Sequence, residues 1–417
     1  MTAIVYPKGS ANAAAFPAIV LQYRLFREGI TVPLSTESTD GASEVVIRES
    51  VDMEVGRFSV QTVGSKLIVT AADMFGFSAA ADYLAEVVFA DGKPEIPSPV
   101  SFVGKFDKEM LSQKTATNRV IFHNVWFHDH PPECHTFYGV MGAGYLVAEV
   151  MAYRPDVVGF NEILSTWRRK TDLVDAMKAI GYEEALPENC DEKMMNPLFY
   201  NTKAVRLLEC RFASYGTPVR DENGYASDKI TGKYYAPSDN NVWKSAVAGV
   251  FEVLESGKRF VACCTHLEAN SYIKTKQPEE GDPARAEQVR ETLVPLLNGL
   301  CEKYDAPAVV GGDYNSSHQR AACKELEKAG FVNTFFAAED KKEFCSCHGY
   351  PIYCAELNTY VGFDCPWADK EKPLGYDHSI DQMFAKGALV PKTYRTITAK
   401  PTLYASDHSP VMLDFDL

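Results

Sequence analysis

From residue 118 onward, the sequence repeats one pattern, an apolar strand-like segment that ends in a polar or ionisable side chain. The segments are "RVIFHN" ending at Asn124, "DVVGFNE" at Glu162, "RFVACCTH" at His266, "PAVVGGDYN" at Asp313 and Asn315, "SIDQMF" with Asp381, and "SDHSPVML" with Asp407 and His408. Charged groups beside buried strands are costly to desolvate unless they are paired, hydrogen-bonded or metal-bound. Because helical segments alternate with these strands, the pattern predicts a layered α/β domain whose strand ends meet at one pocket.

Each of these residues alone also has an ordinary structural explanation. Asn124 fits a strand-end amide, Glu162 a helix-capping acid, His266 a core histidine, Asp313 a glycine turn, Asp381 an ion pair, and the "SDH" segment a strand cap. Six such coincidences in one chain are far less frequent than any one of them. The joint pattern therefore favours a single functional site.

The residue types in this pattern suit one kind of chemistry. Carboxylates and amides are ligands for hard divalent cations, and histidines can neutralise or protonate phosphate oxygens. Ser406 is a weaker candidate for a serine nucleophile because no nucleophile-elbow glycines surround it. The "GGDYN" segment lacks the GK[ST] ending of a phosphate-binding P-loop. We therefore expect metal-assisted attack of water on phosphorus.

The order of these motifs resembles the endonuclease/exonuclease/phosphatase superfamily, which has the deoxyribonuclease-I-like fold. The matching pieces are "HNVW", "PDVVGFNE", "NPLFYNT", "CCTHLEA", "GGDYNS", "SIDQMF" and "SDHSPV". The resemblance covers residues 118–417 and implies a four-layer α/β-sandwich there. It also implies a metal-dependent hydrolase that acts on phosphate ester bonds.

The resemblance assigns a role to each matched residue. Metal ligands for Mg²⁺ or Mn²⁺ would be Glu162, helped by Asn124 and Asp407. The catalytic residues would be Asp313, which orients or deprotonates water, Asn315, which holds Asp313 and a phosphate oxygen, His408, which contacts the phosphate with help from Asp381, and His266, a candidate proton donor to the leaving oxygen. Two departures from the family pattern are Asn161, where Gln is usual, and Gln382, where an aromatic residue or His is common.

The first part of the chain predicts a separate small domain. Residues 1–95 read as a small α+β domain, and residues 96–117 as a linker that continues the proline-rich stretch "DGKPEIPSPV". The hairpin and helix of "GRFSVQTVGSKLIVTAADMFGFSAAADYLAE" resemble the small α+β domain that precedes the barrel of family-20-type glycosidases. In those enzymes the module is non-catalytic, so we expect a packing or substrate-platform role.

The net charge of −14 bears on the choice of substrate. Affinity for a phosphate backbone depends on clustered Lys and Arg, and the sequence has no basic stripe. We therefore favour a small phosphomonoester or phosphodiester of sugar, lipid or nucleotide type. A DNA or RNA nuclease is the enzymatic alternative. A non-catalytic ligand-binding scaffold is the other, disfavoured because every expected catalytic position is filled.

Other features of the sequence bear on the location of the protein and on possible second sites. The absence of a signal-like N-terminus or membrane span, with eleven cysteines partly inside apolar strands, predicts a cytoplasmic protein. The cysteine-rich segment with Cys345, Cys347, His348, Cys354 and Cys365 could bind zinc, but a plain loop is favoured. Likewise, solvated loop histidines are favoured over a second metal site for His128, His130 and His135. By motif position only, Lys244 and Tyr200 are candidate phosphate neighbours, and a structural Lys beside a strand is at least an equal alternative. The oligomeric state is open.

Overall fold

The computed structural model describes the chain of 417 residues outside residues 7–17, 19–20, 23, 27, 51, 97–98, 107–112, 126–145, 148, 164–172, 189–194, 225–226, 239–242, 270–277, 343, 348–349, 355–358, 365–374 and 399–405. The predicted histidines His128, His130 and His135 and part of the cysteine-rich segment lie outside the described residues.

The N-terminal part is a six-stranded sheet with one helix against it. Its strands are β1 (Ala3–Val5), β2 (Leu34–Ser35), β3 (Glu44–Glu49), β4 (Arg57–Val63), β5 (Lys66–Ala71) and β6 (Ser101–Lys105), in the order β2-β1-β3-β5-β4-β6. Strands β4 and β5 form the predicted hairpin, and helix α1 (Met74–Tyr83) follows, capped by the Asp73 side chain. Strand β6 falls within the predicted linker. This edge strand was not predicted because it is mostly exposed and shows no apolar alternation.

A seven-stranded sheet, the first sheet of the C-terminal part, holds the first two site motifs. Its strands are β7 (Asn118–Asn124), β8 (Val157–Asn161), β9 (Tyr182–Glu184), β10 (Leu198–Asn201), β18 (Asp340–Lys341), β22 (Val390–Thr396) and β23 (Val411–Asp416). Their order is β18-β22-β23-β7-β8-β10-β9. Strands β7 and β8 are parallel, so their carboxyl ends lie at the same edge. Strand β23 pairs with β7 on one side and β22 on the other.

A second sheet, of six strands, holds the other motifs. Its strands are β11 (Val205–Ser214), β14 (Ser245–Val253), β15 (Arg259–His266), β16 (Ala308–Asp313), β17 (Val332–Asn333) and β21 (Asp381–Lys386), in the order β11-β14-β15-β16-β21-β17. Strands β15 and β16 are parallel, and β21 runs antiparallel to β16. Two short ribbons lie outside both sheets, β12 (Thr217–Pro218) with β13 (Tyr235–Ala236) and β19 (Tyr350–Cys354) with β20 (Thr359–Asp364).

Helices cover the outer faces of both sheets. They are α2 (Leu173–Ala179), α3 (Pro278–Gln288), a π-helix (Val289–Leu293), α4 (Val294–Tyr304), α5 (Ala321–Lys328) and the short α6 (Thr334–Ala337). One apolar cluster fills the space between the two sheets, and a second packs the outer face of the second sheet against these helices. The layers run helix, sheet, sheet, helix, so the predicted four-layer sandwich with an N-terminal α+β unit is confirmed.

The N-terminal unit shares a core with the first sheet. Phe75 of α1 packs edge-on against Phe106 and Tyr153, with ring centroids 5.2 and 6.4 Å apart. Their buried side chains belong to one cluster with Ile121 of β7 and Phe160 of β8. Burial of so much apolar surface at this contact stabilises the attachment of the unit to the outer face of the first sheet.

Two glycines let the sheets approach each other beneath the site. A Cβ atom at Gly311 would lie 2.3 Å from the ring of Phe122, and one at Gly159 would lie 2.7 Å from the same ring. Any residue larger than glycine at either position would displace the Phe122 ring. The close approach brings the carboxyl ends of β7, β8, β15 and β16 together.

Candidate active site

The strand ends place the predicted residues at one edge of the sandwich. Asn124, His266 and Asp313 are the last residues of β7, β15 and β16, and Glu162 follows β8 directly. Asp381 begins the antiparallel β21, where it lies opposite Asp313. Asp407 and His408 lie shortly before β23, and His408 forms an isolated backbone bridge with Cys347.

Asn161 joins the two sheets directly beneath this edge. Its Oδ1 accepts a hydrogen bond from the backbone N–H of Asp313 at 3.0 Å, and its Nδ2 donates to the carbonyl of Thr265 at 3.1 Å. Gly312 has a φ of +134° and would bring a Cβ within 2.9 Å of the Asn161 amide oxygen, so this turn requires glycine. The Asn161 side chain thus fixes the ends of β15 and β16 relative to β8.

Asn124, Glu162, His266 and Asp313 form a buried polar cluster. The Asn124 Nδ2 donates to Glu162 Oε1 at 3.2 Å and to Asp313 Oδ2 at 2.9 Å. His266 Nε2 lies 3.4 Å from Glu162 Oε1 and 3.5 Å from Asp313 Oδ2. One ligand atom from each of Glu162, His266 and Asp313 falls within 4.8 Å of the others. Such a group of N and O donors can hold a metal ion.

Asp313 receives a dense set of hydrogen bonds. The backbone N–H of Asn315 donates to its Oδ1 at 2.7 Å, and the Asn315 Nδ2 donates to its Oδ2 at 3.2 Å. Burial would raise the pKa of Asp313, but His266, His408 and Lys244 hold it well below its ordinary value. The carboxylate is therefore ionised and fixed in place.

Lys244 is the cation nearest to this cluster among the described residues. Its Nζ contacts His266 Nε2. Burial lowers the pKa of His266, and the Lys244 charge lowers it further, against the opposing pull of Asp313 and Glu162. Because an ammonium group can only donate, the contact favours a neutral His266 ring with the Nε2 lone pair facing Lys244.

His408 and Asp381 form the second buried pair of the site. His408 Nδ1 donates to Asp381 Oδ2 at 2.7 Å. Burial alone would lower the pKa of His408, but the Asp381 carboxylate raises it well above the ordinary value. His408 is thus a cation at neutral pH, with its Nε2 3.9 Å from Asp407 Oδ1. Burial raises the pKa of Asp407 to about 6.

Acidic groups concentrate at this edge. Glu162, Asp313 and Asp381 are buried, and the Asp407 side chain is 19% exposed. Lys244 and the protonated His408 lie among these acids. A divalent cation bound here would be stabilised by this concentration of carboxylates.

Several supporting residues were not found from the sequence. The His123 Nε2 lies 3.1 Å from the carbonyl of His408, and Ser346 Oγ accepts from the N–H of Asp381 at 3.0 Å. Asn196 accepts from Asn161 Nδ2 at 3.0 Å. Each contact joins segments far apart in the chain, so no local pattern could have revealed it.

The structure corrects one sequence interpretation and agrees with another. Tyr200, a candidate phosphate neighbour, lies opposite Val157, at the start of β8 and thus at the far end of the sheet, and its hydroxyl donates to Glu183. Ser406, disfavoured as a nucleophile, has structural contacts, since its Oγ donates to the Asn124 carbonyl at 2.7 Å and accepts from the His408 N–H at 3.1 Å. Gln382, a departure from the family pattern, faces away from the site toward Asn333 and Tyr376.

The cysteine-rich segment has one described thiol whose bonding is clear. The Cys345 Sγ donates to the carbonyls of Cys347 and His378 at 3.1 and 3.4 Å, which are hydrogen bonds of a packed loop. Burial raises the pKa of Cys347 to about 12, so its thiol stays protonated. The Cys345 hydrogen bonds favour the loop interpretation for the described part of this segment.

Comparison with known proteins places this site in a family. Residues 123–408 match the model of the Endonuclease/Exonuclease/phosphatase family, which is more than half of the chain. The crystal structure of the endonuclease/exonuclease/phosphatase from Bacteroides vulgatus is similar, with a TM-score of 0.50 at 18% identity over 72% of this chain and 98% of that one. This likeness shows the shared fold. A search of curated protein sequences finds no match.

Two further solved structures match at lower similarity. The mannosyl-6-phosphatase from Bacteroides thetaiotaomicron VPI-5482 has a TM-score of 0.47 at 15% identity and covers 72% of this chain and 100% of its own. The human Nocturnin catalytic domain with bound sulfate anion has a TM-score of 0.48 at 15% identity, covering 73% and 95%. In the described part of the chain, no helix has the length and apolar character needed to cross a membrane.

Proposed function

Since the chain belongs to the endonuclease/exonuclease/phosphatase family, whose members hydrolyse phosphate esters, we propose that it is a divalent-metal-dependent phosphoesterase. It would cleave a phosphomonoester or phosphodiester of a small substrate by in-line attack of water. The observation that carries this proposal is the buried cluster in which one ligand atom from each of Glu162, His266 and Asp313 lies within 4.8 Å of the others.

The donor set fits Mg²⁺ or Mn²⁺. Glu162 would be the main ligand, with the Asn124 amide oxygen and the Asp407 carboxylate as further ligands. The Asn124 Nδ2 donates to Glu162 and to Asp313, which keeps Asn124 beside the main ligand. Oxygen ligands of this kind suit hard cations. When bound, the ion neutralises charge on the phosphate oxygens and activates water.

Asp313 would align the attacking water. Because its pKa is lowered, the Asp313 carboxylate is ionised in the resting state. Three hydrogen bonds from Asn124 and Asn315 fix its two oxygens. A carboxylate held in this way accepts a hydrogen bond from water and directs the oxygen lone pair toward phosphorus. The Asn315 amide would also contact a phosphate oxygen.

The cations of the site would stabilise the charge that develops during the reaction. His408, held protonated by Asp381, would donate from Nε2 to a non-bridging phosphate oxygen. Lys244 and His266 form a donor–acceptor pair that carries one transferable proton, and we place it beside the leaving oxygen. Preorganised donors in a buried site are worth more than the same groups in water.

We propose that the N-terminal unit is an accessory domain and that residues 118–417 form the catalytic domain. Its helix α1 packs through Phe75 against Tyr153 on the outer face of the first sheet, while the site lies at a strand-end edge. This arrangement supports a packing role. The glycosidase-like origin of the unit and the cytoplasmic location stay predictions.

The test is metal-dependent turnover of nitrophenyl phosphate and bis-nitrophenyl phosphate, with Mg²⁺, Mn²⁺ or EDTA. We expect turnover that needs metal in the wild type, is lost in Glu162→Gln and His266→Ala, and persists in the matched control Glu255→Gln, whose carboxylate is exposed. Activity that survives Glu162→Gln would contradict the assignment of Glu162 as the main metal ligand.

Two further outcomes separate the alternatives. Nicking of plasmid DNA or cleavage of single-stranded RNA faster than either nitrophenyl ester would establish the nuclease alternative. Silence of the wild type toward both nitrophenyl esters and both nucleic acids, with a calorimetric metal-binding signal still present, would favour the non-catalytic scaffold.

A further inference from the structure

His123 and Glu149 form a buried pair behind the first sheet, outside the groups that the mechanism uses. The His123 Nδ1 lies 3.2 Å from Glu149 Oε2, and both side chains are 0% exposed. Side chains alternate along a strand, so His123 of β7 lies on the same face as Ile121, the outer face that the N-terminal unit covers. Glu149 belongs to the helical residues 149–153, which pack on that face.

The other ring nitrogen of His123 reaches the backbone of the catalytic histidine. The His123 Nε2 lies 3.1 Å from the carbonyl oxygen of His408. Because a carbonyl oxygen can only accept, His123 donates this hydrogen bond. The contact that one ring nitrogen makes fixes the orientation of the other. Glu149 therefore orients the His123 ring toward His408.

His408 needs this support because strand pairing does not hold it. Strand β23 pairs with β7 from Val411 onward, and His408 precedes that pairing. The His408 N–H donates to Ser406 Oγ at 3.1 Å, and the His408 ring donates to Asp381 at 2.7 Å. The described hydrogen bond to the His408 carbonyl comes from His123. The His123 side chain thus continues the link between β7 and the last segment of the chain.

Stability alone does not account for a pair of this kind. A carboxyl group without exposed surface is costly to bury, and an apolar pair of similar volume often stabilises a fold as well or better. Among the described residues, His123 is the basic group that lies within ion-pair distance of Glu149. The pair therefore contributes a fixed ring orientation rather than stability.

We infer that Glu149 and His123 are positioning residues that fix the backbone of His408, so that the His408 Nε2 faces the phosphate. The inference rests on the proposed phosphoesterase function, in which His408 donates to a phosphate oxygen. Glu149 acts through His123, and His123 acts through the His408 carbonyl. A displacement of a catalytic group by about 1 Å can cost on the order of 10²-fold in rate.

The first experiment observes His408 without turnover. Long-range ¹H–¹⁵N NMR spectra of the histidine rings are recorded on the full chain without metal, and loss of signals in His408→Asn assigns the His408 ring. His123→Phe and Glu149→Leu are expected to shift or broaden the His408 signals. His123→Gln, whose amide can still donate to the carbonyl, and Glu149→Gln, whose amide can still contact Nδ1, are expected to keep them.

Two NMR outcomes would overturn the inference. One is an unchanged His408 spectrum in both His123→Phe and Glu149→Leu. The other is an equal change in the Gln variants, which keep the contacts, and in the Phe and Leu variants, which lose them.

The second experiment separates kcat from KM with Mg²⁺ and nitrophenyl phosphate. In His123→Phe and Glu149→Leu, kcat is expected to fall about 10²-fold, and the Gln variants are expected to be at least about tenfold faster than these. KM is expected to stay within about twofold of the wild type, because neither side chain contacts substrate. The double variant should be no slower than His123→Phe, since Glu149 acts through His123.

Matched controls separate positioning from other effects. Val150→Ala removes buried methyl groups beside Glu149 and is expected to lower Tm without lowering kcat. The calorimetric Kd for Mn²⁺ should be unchanged in His123→Phe, which excludes an effect through the neighbouring Asn124. A fall in kcat in Val150→Ala equal to that in Glu149→Leu would contradict the inference. The expected NMR changes in a chain whose wild type hydrolyses no ester would instead contradict the phosphoesterase proposal.

Discussion

Buried acids lie at both ends of strands β7 and β8, and the two ends differ in the groups that contact these acids. At the base, Arg119 binds both oxygens of Asp414, at 2.5 and 2.8 Å, and Lys114 lies 2.7 Å from Asp156. At the other end, Glu162 and Asp313 share a cluster with His266, in which one ligand atom from each lies within 4.8 Å of the others. A buried acid held by its own cation stabilises the fold, whereas buried acids that converge with a histidine are arranged to hold a ligand.

The largest expected effect comes from removing the central acid of the site. Glu162→Gln should lower kcat/KM for nitrophenyl phosphate by about 10³-fold, the size seen when a group that stabilises transition-state charge is lost. Its urea unfolding midpoint should change little, because Gln has nearly the same shape and the substitution removes one of two carboxylates that lie close together, Glu162 and Asp313. A variant that loses both activity and stability would mean that Glu162 is structural like the base acids.

The matching change at the base is Arg119→Met, with Arg206→Met as the exposed control. Removing one partner of a buried ion pair leaves the others unpaired, so the free energy of unfolding should fall by about 3–5 kcal/mol. Arg206 is 62% exposed and pairs with Glu252, and its loss should change stability by less than about 1 kcal/mol. Urea denaturation followed by fluorescence measures both. Equal losses of unfolding free energy in the two variants would contradict the expected difference between the buried and the exposed ion pair.

Metal addition should separate the two ends directly. A ligand that binds only the folded state raises stability by about 2.7 kcal/mol at 100 times its Kd. Mn²⁺ or Mg²⁺ should therefore raise the Tm of the wild type and of Arg119→Met, but not that of Glu162→Gln. Differential scanning fluorimetry with and without EDTA gives the answer, and a shift retained in Glu162→Gln would place the ion elsewhere.

The smallest expected effect is on the pH profile. Because the folded-state pKa of His408 is raised, its positive charge is present at low pH and is lost as pH rises through that value. Asp381→Asn removes the main cause of the rise, so the alkaline limb of the kcat profile should move to lower pH. An alkaline limb that stays in place would mean that His408 does not act as a cation.

The sequence predicted the strand ends of the site well because each motif couples an apolar run to one polar residue. Asn124, Glu162, His266 and Asp313 come together through parallel pairing, which local sequence can indicate. Tyr200 was misplaced because it lies on β10, antiparallel to β8, and this pairing puts it at the base.

What the sequence did not reveal depends on contacts across the fold. The contact between Lys244 and His266, the His123 contact with the His408 carbonyl and the exposed strand β6 each depend on pairing with distant segments. A cavity lined by Tyr215 also depends on contacts between distant segments, since its walls come from β11, β13 and the π-helix after α3. Residue type alone does not encode such neighbours.

The place of strand β23 has a consequence for synthesis on the ribosome. Arg119 and Asp414 are 295 positions apart in the chain, yet they pair across adjacent strands near the middle of the first sheet. At about 5–20 residues per second, on the order of 15–60 s pass between the emergence of these two residues. During that time the edge of β7 that pairs with β23 stays open, so the nascent chain depends on protection from aggregation until β23 has been made.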